Sequence, residues 1–316
     1  MNENSAELLS TVAALYYLDG LTQEAIASKV NISRSAISRI LKRAREKGIV
    51  QIRITCPSRQ NGYLERKLKD AFGIEAIVIN SDCIDDAVLL DEIRRRLIEE
   101  MKSLIKPDSI VGVSRAAIFH DICSLLKYED KNVSFAQVMG MEALGARYRF
   151  AFDIVAKLSN LHGGIPLFLD APLVFESKGA RESLKRVPTI ARTLDALKKA
   201  DLLMTSIPMQ APGKRDHIWQ GFISDEEYQS LLDMNAVGAM FGRAFDMDGR
   251  FLDVSINENI VGIDLETVMG IDTLAVCYGK DFSKAALGGL RTKLINKLIT
   301  DTACAEGILE LAKEEE

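Results

Sequence analysis

The chain has 316 residues, of which 47% are hydrophobic and 27% charged, with a formal net charge of −5, as is typical of a folded protein with an ample core. It contains no run of about eighteen apolar residues and no N-terminal export signal, which predicts a cytoplasmic protein without a membrane span. Five scattered cysteines with no CxxC pair and three histidines without a metal-binding spacing argue against a disulfide framework, a metal site or a cofactor.

Positive charge is concentrated near the N-terminus. Residues 1–55 carry eight Lys or Arg and five acidic residues, a net charge of +3 against −8 for the remainder. All eight basic residues lie from Lys29 onward, with only Glu46 among them. The pattern favours a polyanion as the partner of this segment alone, although a solvated helix surface would carry the same charges.

The first thirty residues predict two helices followed by a tight turn. Residues 6–18 are mostly apolar and predict a helix that ends at Gly20, since glycine can adopt a left-handed conformation. Thr22 is a suitable N-cap for a second, short helix over residues 23–29. Asn31 follows this helix, and asparagine tolerates the positive φ that a tight turn between two helices demands.

A third helix is predicted to follow the N-cap Ser33 and to continue to about Glu46, with Gly48 ending it. Apolar residues fall where a helix-turn-helix has its buried contacts. These residues are Ile26, Ala27, Val30, Ile32, Ile37 and Ile40. The sequence therefore predicts an N-terminal all-α helix-turn-helix domain.

The third helix of such a domain enters the major groove of DNA, where arginine binds guanine edges while hydroxyl and amide groups bind phosphates. We predict the DNA-binding residues on the outward side of this helix and at the helix starts. They are Thr22, Gln23, Ser33, Arg34, Ser35, Ser38, Arg39, Lys42 and Arg43. A structural three-helix unit, or one that binds another protein, is the alternative.

Residues 49–54 alternate between apolar and polar side chains like a strand, which would form a wing or a hinge. The turn-rich segment that follows predicts a linker over residues 56–62, and residues 61–72 predict an amphipathic helix. We therefore predict a DNA-binding domain over residues 1–55 and an effector-binding and oligomerisation domain over residues 63–316.

From residue 74 onward, predicted strands alternate with predicted helices. The strands cover residues 74–80, 109–113, 132–140, 165–169, 200–207, 272–277 and 297–300. The helices cover residues 85–105, 116–127, 150–161, 189–199 and 282–290, with a last one from residue 302. This alternation predicts an α/β domain with a mainly parallel sheet covered on both faces.

Ligands of such sheets bind where loops leave the C-terminal ends of the strands. The loops at these ends are residues 112–115, 137–141, 206–210, 278–284 and 300–301. Candidate effector-binding residues lie in or near these loops. They are Gly112, Ser114, Arg115, Gln137, Gly140, Asp246, Lys280, Lys284 and Asp301.

The chain resembles the SorC/DeoR-type bacterial transcriptional regulators over nearly its full length. The resemblance rests on the segment LYYLDGLTQEAIASKVNISRSAISRILKRAREKGIVQIRI and, in the expected order, on GRAFDMDGRFLD, INENIVGIDLE and LITDTACAEGIL. It implies an effector domain related to sugar-phosphate isomerases, which binds a sugar or sugar phosphate and alters operator binding. It also implies homo-oligomers, dimers or commonly tetramers, and two-fold symmetry would then demand a roughly palindromic double-stranded operator.

Three segments depart from the family pattern. After the strand at 109–113, Arg115, Ala116 and Ile118 occupy positions that hold tryptophan, glycine and threonine in the family. Phe282 occupies a lysine position, with Lys280 and Lys284 on either side. Ser206 and Pro208 replace glycines after the strand at 200–207. Close backbone approach to a phosphate favours glycine, so a phosphate-binding loop is weakened at three places.

These departures leave several interpretations open. Arg115 with Lys280 or Lys284 would still bind an anion, or the effector would be an unphosphorylated sugar, a polyol, another metabolite, or absent. Arg115 would otherwise be an ordinary surface residue at a helix start. Asp301 and Asp246 would serve an isomerase-like enzyme as general acid or base. Because neither has an evident catalytic partner nearby in sequence, we predict a regulator without catalytic residues.

Overall fold

We describe the chain from a computed structural model, which describes residues 5–50, 60–82, 84–142, 150–213 and 217–314. They belong to two compact units, one within Met1–Pro57 and the other within Ser58–Glu316. Most of the predicted strand over 49–54 and most of the predicted linker over 56–62 lie outside the described residues.

The first unit consists of three helices, α1 (Ala6–Tyr17), α2 (Gln23–Val30) and α3 (Arg34–Glu46), as the sequence predicts. The Thr22 hydroxyl oxygen accepts a hydrogen bond from the Ala25 N–H at 3.2 Å, and Ser33 does the same for Ala36 at 3.3 Å. Asn31 ends α2 with φ = 53°. The predicted caps and the predicted left-handed turn are therefore confirmed.

An apolar core holds these three helices together. Ile26, Ile37 and Ile40 are fully buried, and Ala27, Val30 and Ile32 pack around them, partly exposed. Helix α1 contributes Leu9 and Val12 from the other side. The six predicted contact positions thus lie in this core, as a helix-turn-helix requires.

The second unit is organised around a six-stranded parallel sheet. Its strands are β1 (Glu75–Ile79), β2 (Ile110–Val113), β3 (Ser134–Gln137), β4 (Leu202–Ser206), β7 (Thr273–Val276) and β8 (Lys297–Asp301). Their spatial order is β1-β8-β7-β4-β2-β3, and every pairing is parallel. A separate antiparallel hairpin pairs β5 (Gly238–Met240) with β6 (Arg243–Phe245).

Helices cover both faces of the sheet. They are α4 (Gly62–Phe72), α5 (Asp86–Leu104), α6 (Ala117–Ile122), α7 (Phe150–Leu161), α8 (Lys178–Lys185), α9 (Pro188–Leu197), α10 (Asp225–Asp233), α11 (Ser255–Glu258), α12 (Leu265–Val268), α13 (Ser283–Arg291) and α14 (Thr302–Lys313). Within the described ranges, no helix has the length and apolarity needed to cross a lipid bilayer.

Successive strand residues point into two different cores, which is why the strands are mostly apolar, with polar residues such as Gln137, Thr205 and Asp301 near their ends. In β4, Leu203 packs among residues of α4, α13 and α14, whereas Leu202 and Met204 pack among residues of α5, α6 and α7. Strands buried on both faces are the hallmark of parallel sheets. The predicted α/β domain with a covered parallel sheet is therefore confirmed.

Some elements differ from the prediction. Residues 165–169 form only an isolated bridge, between Leu167 and Ala136, because two backbone hydrogen bonds to β3 are followed by a turn. Helix α6 ends at Ile122, five residues before the predicted end, and the Ser124 hydroxyl donates to the Asp121 carbonyl at 2.8 Å. The β5–β6 hairpin and helices α8 and α10 were not predicted, and their segments are short, with three residues in each strand and eight and nine residues in the helices.

Gly112 in β2 shows how tightly the sheet is packed. A Cβ atom at this position would lie 2.5 Å from Cδ2 of Leu203 and 2.8 Å from Cγ1 of Val138. We expect Gly112→Ala to lower the free energy of unfolding by about 1–3 kcal/mol through overpacking. Urea unfolding followed by tryptophan fluorescence measures this loss, since Trp219, the single tryptophan, is buried in the second unit.

Gly179 in α8 provides the matched control, because a Cβ atom there would meet no atom within 4 Å. We expect Gly179→Ala to be neutral or to stabilise the protein by about 0.5–1 kcal/mol. Equal unfolding midpoints for Gly112→Ala and the unmodified protein would contradict the packing role of Gly112.

Candidate functional site

The outward side of α3 is an exposed polar and basic surface. Ser35, Ser38, Arg39 and Lys42 are exposed on it, while Ile37, Ile40 and Leu41 on the opposite side are buried. We call these four exposed residues the α3 basic face. Its charged side chains extend into solvent, and the Lys42 ammonium lies 3.9 Å from the Glu46 carboxylate.

The remaining candidate DNA-binding residues surround this face. Arg34 is exposed at the start of α3, with its guanidinium 3.4 Å from the Glu24 carboxylate in an ion pair that is solvated on both sides. Such exposed pairs contribute little stability, so Arg34 can exchange this partner for a phosphate at low cost. Arg43 is half-buried on α3, and Gln23 is half-buried in the first turn of α2.

Thr22 and Ser33 serve first as N-caps, but their hydroxyl groups keep further hydrogen-bonding capacity. Both residues are exposed at the starts of α2 and α3. The Ser33 and Ser35 hydroxyl oxygens lie 3.1 Å apart, which places two hydroxyl groups together at the start of the third helix. Helix starts with free donors and hydroxyls are suitable partners for phosphate oxygens.

The second unit contains a cavity of about 390 Å³ at the C-terminal edge of the sheet. The lining residues lie after β2 (114–118), after β3 (139), at the end of β4 and beyond (205–208 and 210) and at the end of β7 and beyond (276–278). The β5–β6 hairpin adds residues 239, 241 and 242, and residues 217, 218 and 282 complete the wall. Four of the five predicted loops therefore contribute to one cavity, while residues 300–301 do not.

Much of the cavity wall is apolar. Fully or largely buried side chains dominate it, among them Ile118, Met139, Ile207, Ile218 and Phe241. Phe282, at the position where the family pattern has lysine, also lines the cavity. The wall can therefore cover a hydrophobic surface of a bound molecule.

Several polar groups of the wall are already engaged within the protein. The Ser206 N–H donates to the Ser114 hydroxyl oxygen at 3.4 Å, and the Thr205 hydroxyl donates to the Ser206 carbonyl at 3.1 Å. The Gln210 amide donates to the Pro208 carbonyl at 3.3 Å and accepts from the Tyr228 hydroxyl at 3.1 Å. These bonds fix the loop after β4 and leave fewer donors directed at a ligand.

Arg115 lines the cavity, but its guanidinium is paired. Its Nε donates to Oε1 of Glu142 at 2.5 Å, and the two side chains are 16% and 9% exposed. Among the described lining residues, Arg115 alone carries a Lys or Arg side chain. The Glu142 carboxylate therefore offsets the positive charge of Arg115, which would otherwise attract an anion to this part of the cavity.

Two titratable groups of the wall are held neutral. The pKa of the Cys277 thiol lies well above its ordinary value because it donates to the neighbouring Cys304 sulfur and is desolvated. Burial likewise raises the pKa of the Tyr278 phenol. At neutral pH both side chains are uncharged, and they add neither charge nor a strong anion site to the cavity.

Most of the other predicted effector residues serve the fold. Gly112 and Gly140 allow close packing, and a Cβ atom on Gly140 would lie 2.4 Å from the Pro172 carbonyl oxygen. The buried Gln137 amide donates to the Met139 carbonyl at 2.8 Å and accepts from the Leu169 N–H at 3.4 Å. Of the nine predicted residues, only Ser114 and Arg115 line the described cavity.

Asp301 is buried, and Oδ1 of its carboxylate is bonded within the protein. Its Oδ1 accepts from the Gly279 N–H at 2.7 Å and from the Cys304 N–H at 3.3 Å, which caps α14 and fixes the turn after β7. Asp246 accepts from the Arg250 N–H at 2.9 Å beyond the β5–β6 hairpin. Neither carboxylate lines the cavity.

Lys280 and Lys284 are exposed and do not line the cavity either. Lys280 begins a short 3-10 helix, Lys280–Phe282, that leads into α13. Phe282 from the same turn faces the cavity instead. The two lysines therefore do not replace the family lysine at this cavity.

Sequence reasoning missed several lining residues, notably Met139, Thr205, Gln210, His217 and Phe241. Phe241 lies in a hairpin that no periodicity indicated, and it has the left-handed φ of 48°. The His217 ring stacks on Tyr228 with centroids 4.0 Å apart. For Thr205 and Gln210, the one signal in the sequence was their position at the end of β4 and in the loop after it. Across the described residues, no group of three or more His, Cys, Asp or Glu side chains forms a metal site.

Asp301→Ala tests whether this carboxylate has a structural role. Removing it leaves two N–H groups without their acceptor and removes the α14 N-cap, so we expect a loss of about 2 kcal/mol in the free energy of unfolding. Asp301→Asn keeps the acceptor oxygen and should cost less. Urea unfolding followed by Trp219 fluorescence measures both.

Asp281 offers the matched control, because it is exposed on the same turn. We expect Asp281→Ala to change stability by less than about 0.5 kcal/mol. If Asp301→Ala unfolded at the same urea concentration as Asp281→Ala, the capping role of Asp301 would be wrong.

Comparisons with known proteins agree with both units. The family described as "Putative sugar-binding domain" matches residues 58–310, and sigma-70 region 4 matches residues 10–47. The chain is 29% identical to the sorbitol operon regulator of Klebsiella pneumoniae and 27% identical to the deoxyribonucleoside regulator of Bacillus subtilis, each over 98% of this chain and 99% of the relative. Full-length SorC from Klebsiella pneumoniae has a similar structure, with a TM-score of 0.73 and 25% identity over 98% of this chain and 100% of that chain.

Proposed function

The chain belongs to the SorC/DeoR-type family of transcriptional regulators that carry this sugar-binding domain, and on that premise we propose that it is a metabolite-controlled DNA-binding regulator. Its first unit binds double-stranded DNA at an operator. Its second unit binds a small molecule, a sugar, polyol or derivative, that alters operator binding.

The α3 basic face is the observation that carries the DNA-binding proposal. It follows a capped helix-turn-helix, in which the third helix enters the major groove and the second helix abuts the backbone. The guanidinium of Arg39 is suited to a guanine edge, and Lys42 is suited to a phosphate. The hydroxyls of Thr22 and Ser33 and the amide of Gln23 then contact the phosphates beside the groove.

The cavity of the second unit supports the effector proposal. Its volume of about 390 Å³ is within the range of small-molecule pockets. It opens at the C-terminal ends of parallel strands, where α/β sheets bind their ligands. Its wall combines hydroxyl and amide groups with apolar side chains, which suits a molecule with both kinds of surface.

We further propose that the protein acts as a homo-oligomer, a dimer or a tetramer, in the cytoplasm. A helix-turn-helix protein with two-fold symmetry binds a roughly palindromic operator. Each half-site then receives one α3 basic face, and two adjacent half-sites lie about one DNA turn apart.

A catalytic role is not part of this proposal. An isomerase-like reaction needs a general acid or base within reach of the substrate. No Asp or Glu lies among the described residues that line the cavity, and His217, which does line it, has its ring stacked on Tyr228. Asp301 and Asp246 bind backbone N–H groups instead. Steady turnover of a pentose or hexose phosphate by the purified protein would contradict this part of the proposal.

The double variant Arg39→Glu/Lys42→Glu tests the α3 basic face. We expect DNase I footprinting on genomic fragments selected by the unmodified protein to show a loss of protection, with affinity reduced by about 100-fold or more because two attractions become repulsions. For the unmodified protein, the logarithm of the affinity should fall linearly and steeply with the logarithm of salt concentration.

Lys106→Glu is the matched control, because Lys106 is an exposed lysine of the second unit. This variant should keep the footprint. If the double variant also kept its footprint, or if the unmodified protein protected no genomic fragment at low salt, the proposed DNA-binding function would be wrong.

A further inference from the structure

Among the described residues, the wall of the cavity of the second unit carries little net charge from Lys, Arg, Asp or Glu. Arg115 is the single Lys or Arg among the described lining residues, and its guanidinium is bonded to Glu142 at 2.5 Å. Both side chains are mostly buried, so water screens the pair only weakly. A phosphate that bound the remaining N–H groups of Arg115 would also lie near the Glu142 carboxylate, which repels it.

The polar groups that remain are poorly suited to replace that cation. The Ser114 and Thr205 hydroxyls and the Gln210 amide are bonded to neighbouring loop residues. Tyr278 and Cys277 stay protonated at neutral pH, because their pKa values are raised. From the described wall residues, an anion transferred from water would gain no Lys or Arg charge that is not already paired with Glu142, so the loss of its hydration is unfavourable.

The apolar side of the cavity, in contrast, is well developed. Ile118, Ile207, Ile218, Phe241 and Phe282 line it together. Two aromatic rings and three branched side chains offer an extended surface for a flat or hydrophobic part of a ligand. A small, fully hydroxylated sugar phosphate would leave this apolar surface in contact with water. The surface would therefore add little to the affinity for such a molecule.

We propose that the effector is an uncharged molecule with an apolar face, and that the Arg115–Glu142 pair excludes anionic analogues from the cavity. This inference rests on the proposed function, because it names the ligand class of the proposed effector site. Arg115 remains able to donate a hydrogen bond to a neutral oxygen, so the pair selects against charge while it still permits polar contacts.

Two fluorescent probes with the same aromatic skeleton test the inference. N-phenylnaphthylamine is uncharged, and anilinonaphthalenesulfonate adds one anionic group to it. Trp219 reports occupancy of the cavity by energy transfer, because it is the single tryptophan and its Nε1 donates to the carbonyl of Gly242, a lining residue, at 2.7 Å. We expect the full-length protein to bind the uncharged probe at least about tenfold more tightly than the sulfonate.

Glu142→Gln tests the role of the ion pair. It removes the negative charge beside the Arg115 guanidinium while it keeps the size of the side chain, so the sulfonate should bind about tenfold more tightly than it binds the unmodified protein. The affinity for the uncharged probe should change by less than about threefold. Arg115→Met in the Glu142→Gln background should remove the gain for the sulfonate, which shows that the gain depends on the guanidinium.

Ala117→Phe verifies the location of the probes. Ala117 lines the cavity but is itself exposed at the start of α6, so a larger side chain there obstructs the opening without crowding the core. Both probes should lose energy transfer from Trp219 in this variant. Unchanged energy transfer would mean that the probes bind elsewhere, and it would overturn the inference.

The inference is also overturned if the unmodified protein binds the sulfonate as tightly as the uncharged probe, or if ribose phosphate displaces the uncharged probe at millimolar concentration. It is equally overturned if the uncharged probe does not bind, or if Ala117→Phe does not abolish its binding. The probe measurements contain no DNA, whereas the footprint measures operator binding alone. Failure of the ligand class and failure of the DNA-binding function are therefore distinguishable.

Discussion

Burial of a parallel sheet on both faces is the constraint on which the second unit depends. Because β2, β4 and β7 are adjacent and run in the same direction, the loops that leave them must emerge at one edge. The wall of the cavity is assembled from these three loops, from the segment after β3, and from the β5–β6 hairpin. The same burial makes most strand residues apolar, so the polar groups of the site come from strand ends, such as Thr205 and Ser206, and from the loops that follow them.

The sequence predicts those parts of the fold that depend on local chemistry. Thr22 and Ser33 cap their helices and Asn31 adopts positive φ, since capping and turn preferences act over three or four residues. The strands of the sheet follow from apolar runs between helices. The β5–β6 hairpin is different, because three-residue strands have no periodicity that a window could detect. Residues 165–169 illustrate the opposite error. This apolar run was predicted to be a strand, but its backbone leaves the sheet edge after two hydrogen bonds.

The candidate site was predictable at the level of loops and much less so at the level of side chains. Arg115 was expected to attract an anion, but its partner Glu142 is 27 residues away in sequence, and only the folded chain brings the two together. Asp301 and Gln137 were expected near the ligand on account of their strand ends, yet backbone groups take up their hydrogen bonds. A sequence gives the type of a side chain and its strand, whereas its direction depends on packing between distant segments.

The departures from the family pattern that were noted in the sequence lie close together in the folded chain. Arg115, Ala116, Ile118, Ser206, Pro208 and Phe282 all line the one cavity, whereas Gly112, which keeps the family residue, packs within the sheet. Residues of the wall are those that would contact a bound molecule, and the cavity of about 390 Å³ remains open despite their replacement. The residues that close the sheet remain under the packing constraint whatever molecule is bound. The replacement of a lysine by Phe282 and of a threonine by Ile118 makes two parts of the wall apolar, whereas Arg115 in place of tryptophan adds a charge that Glu142 offsets.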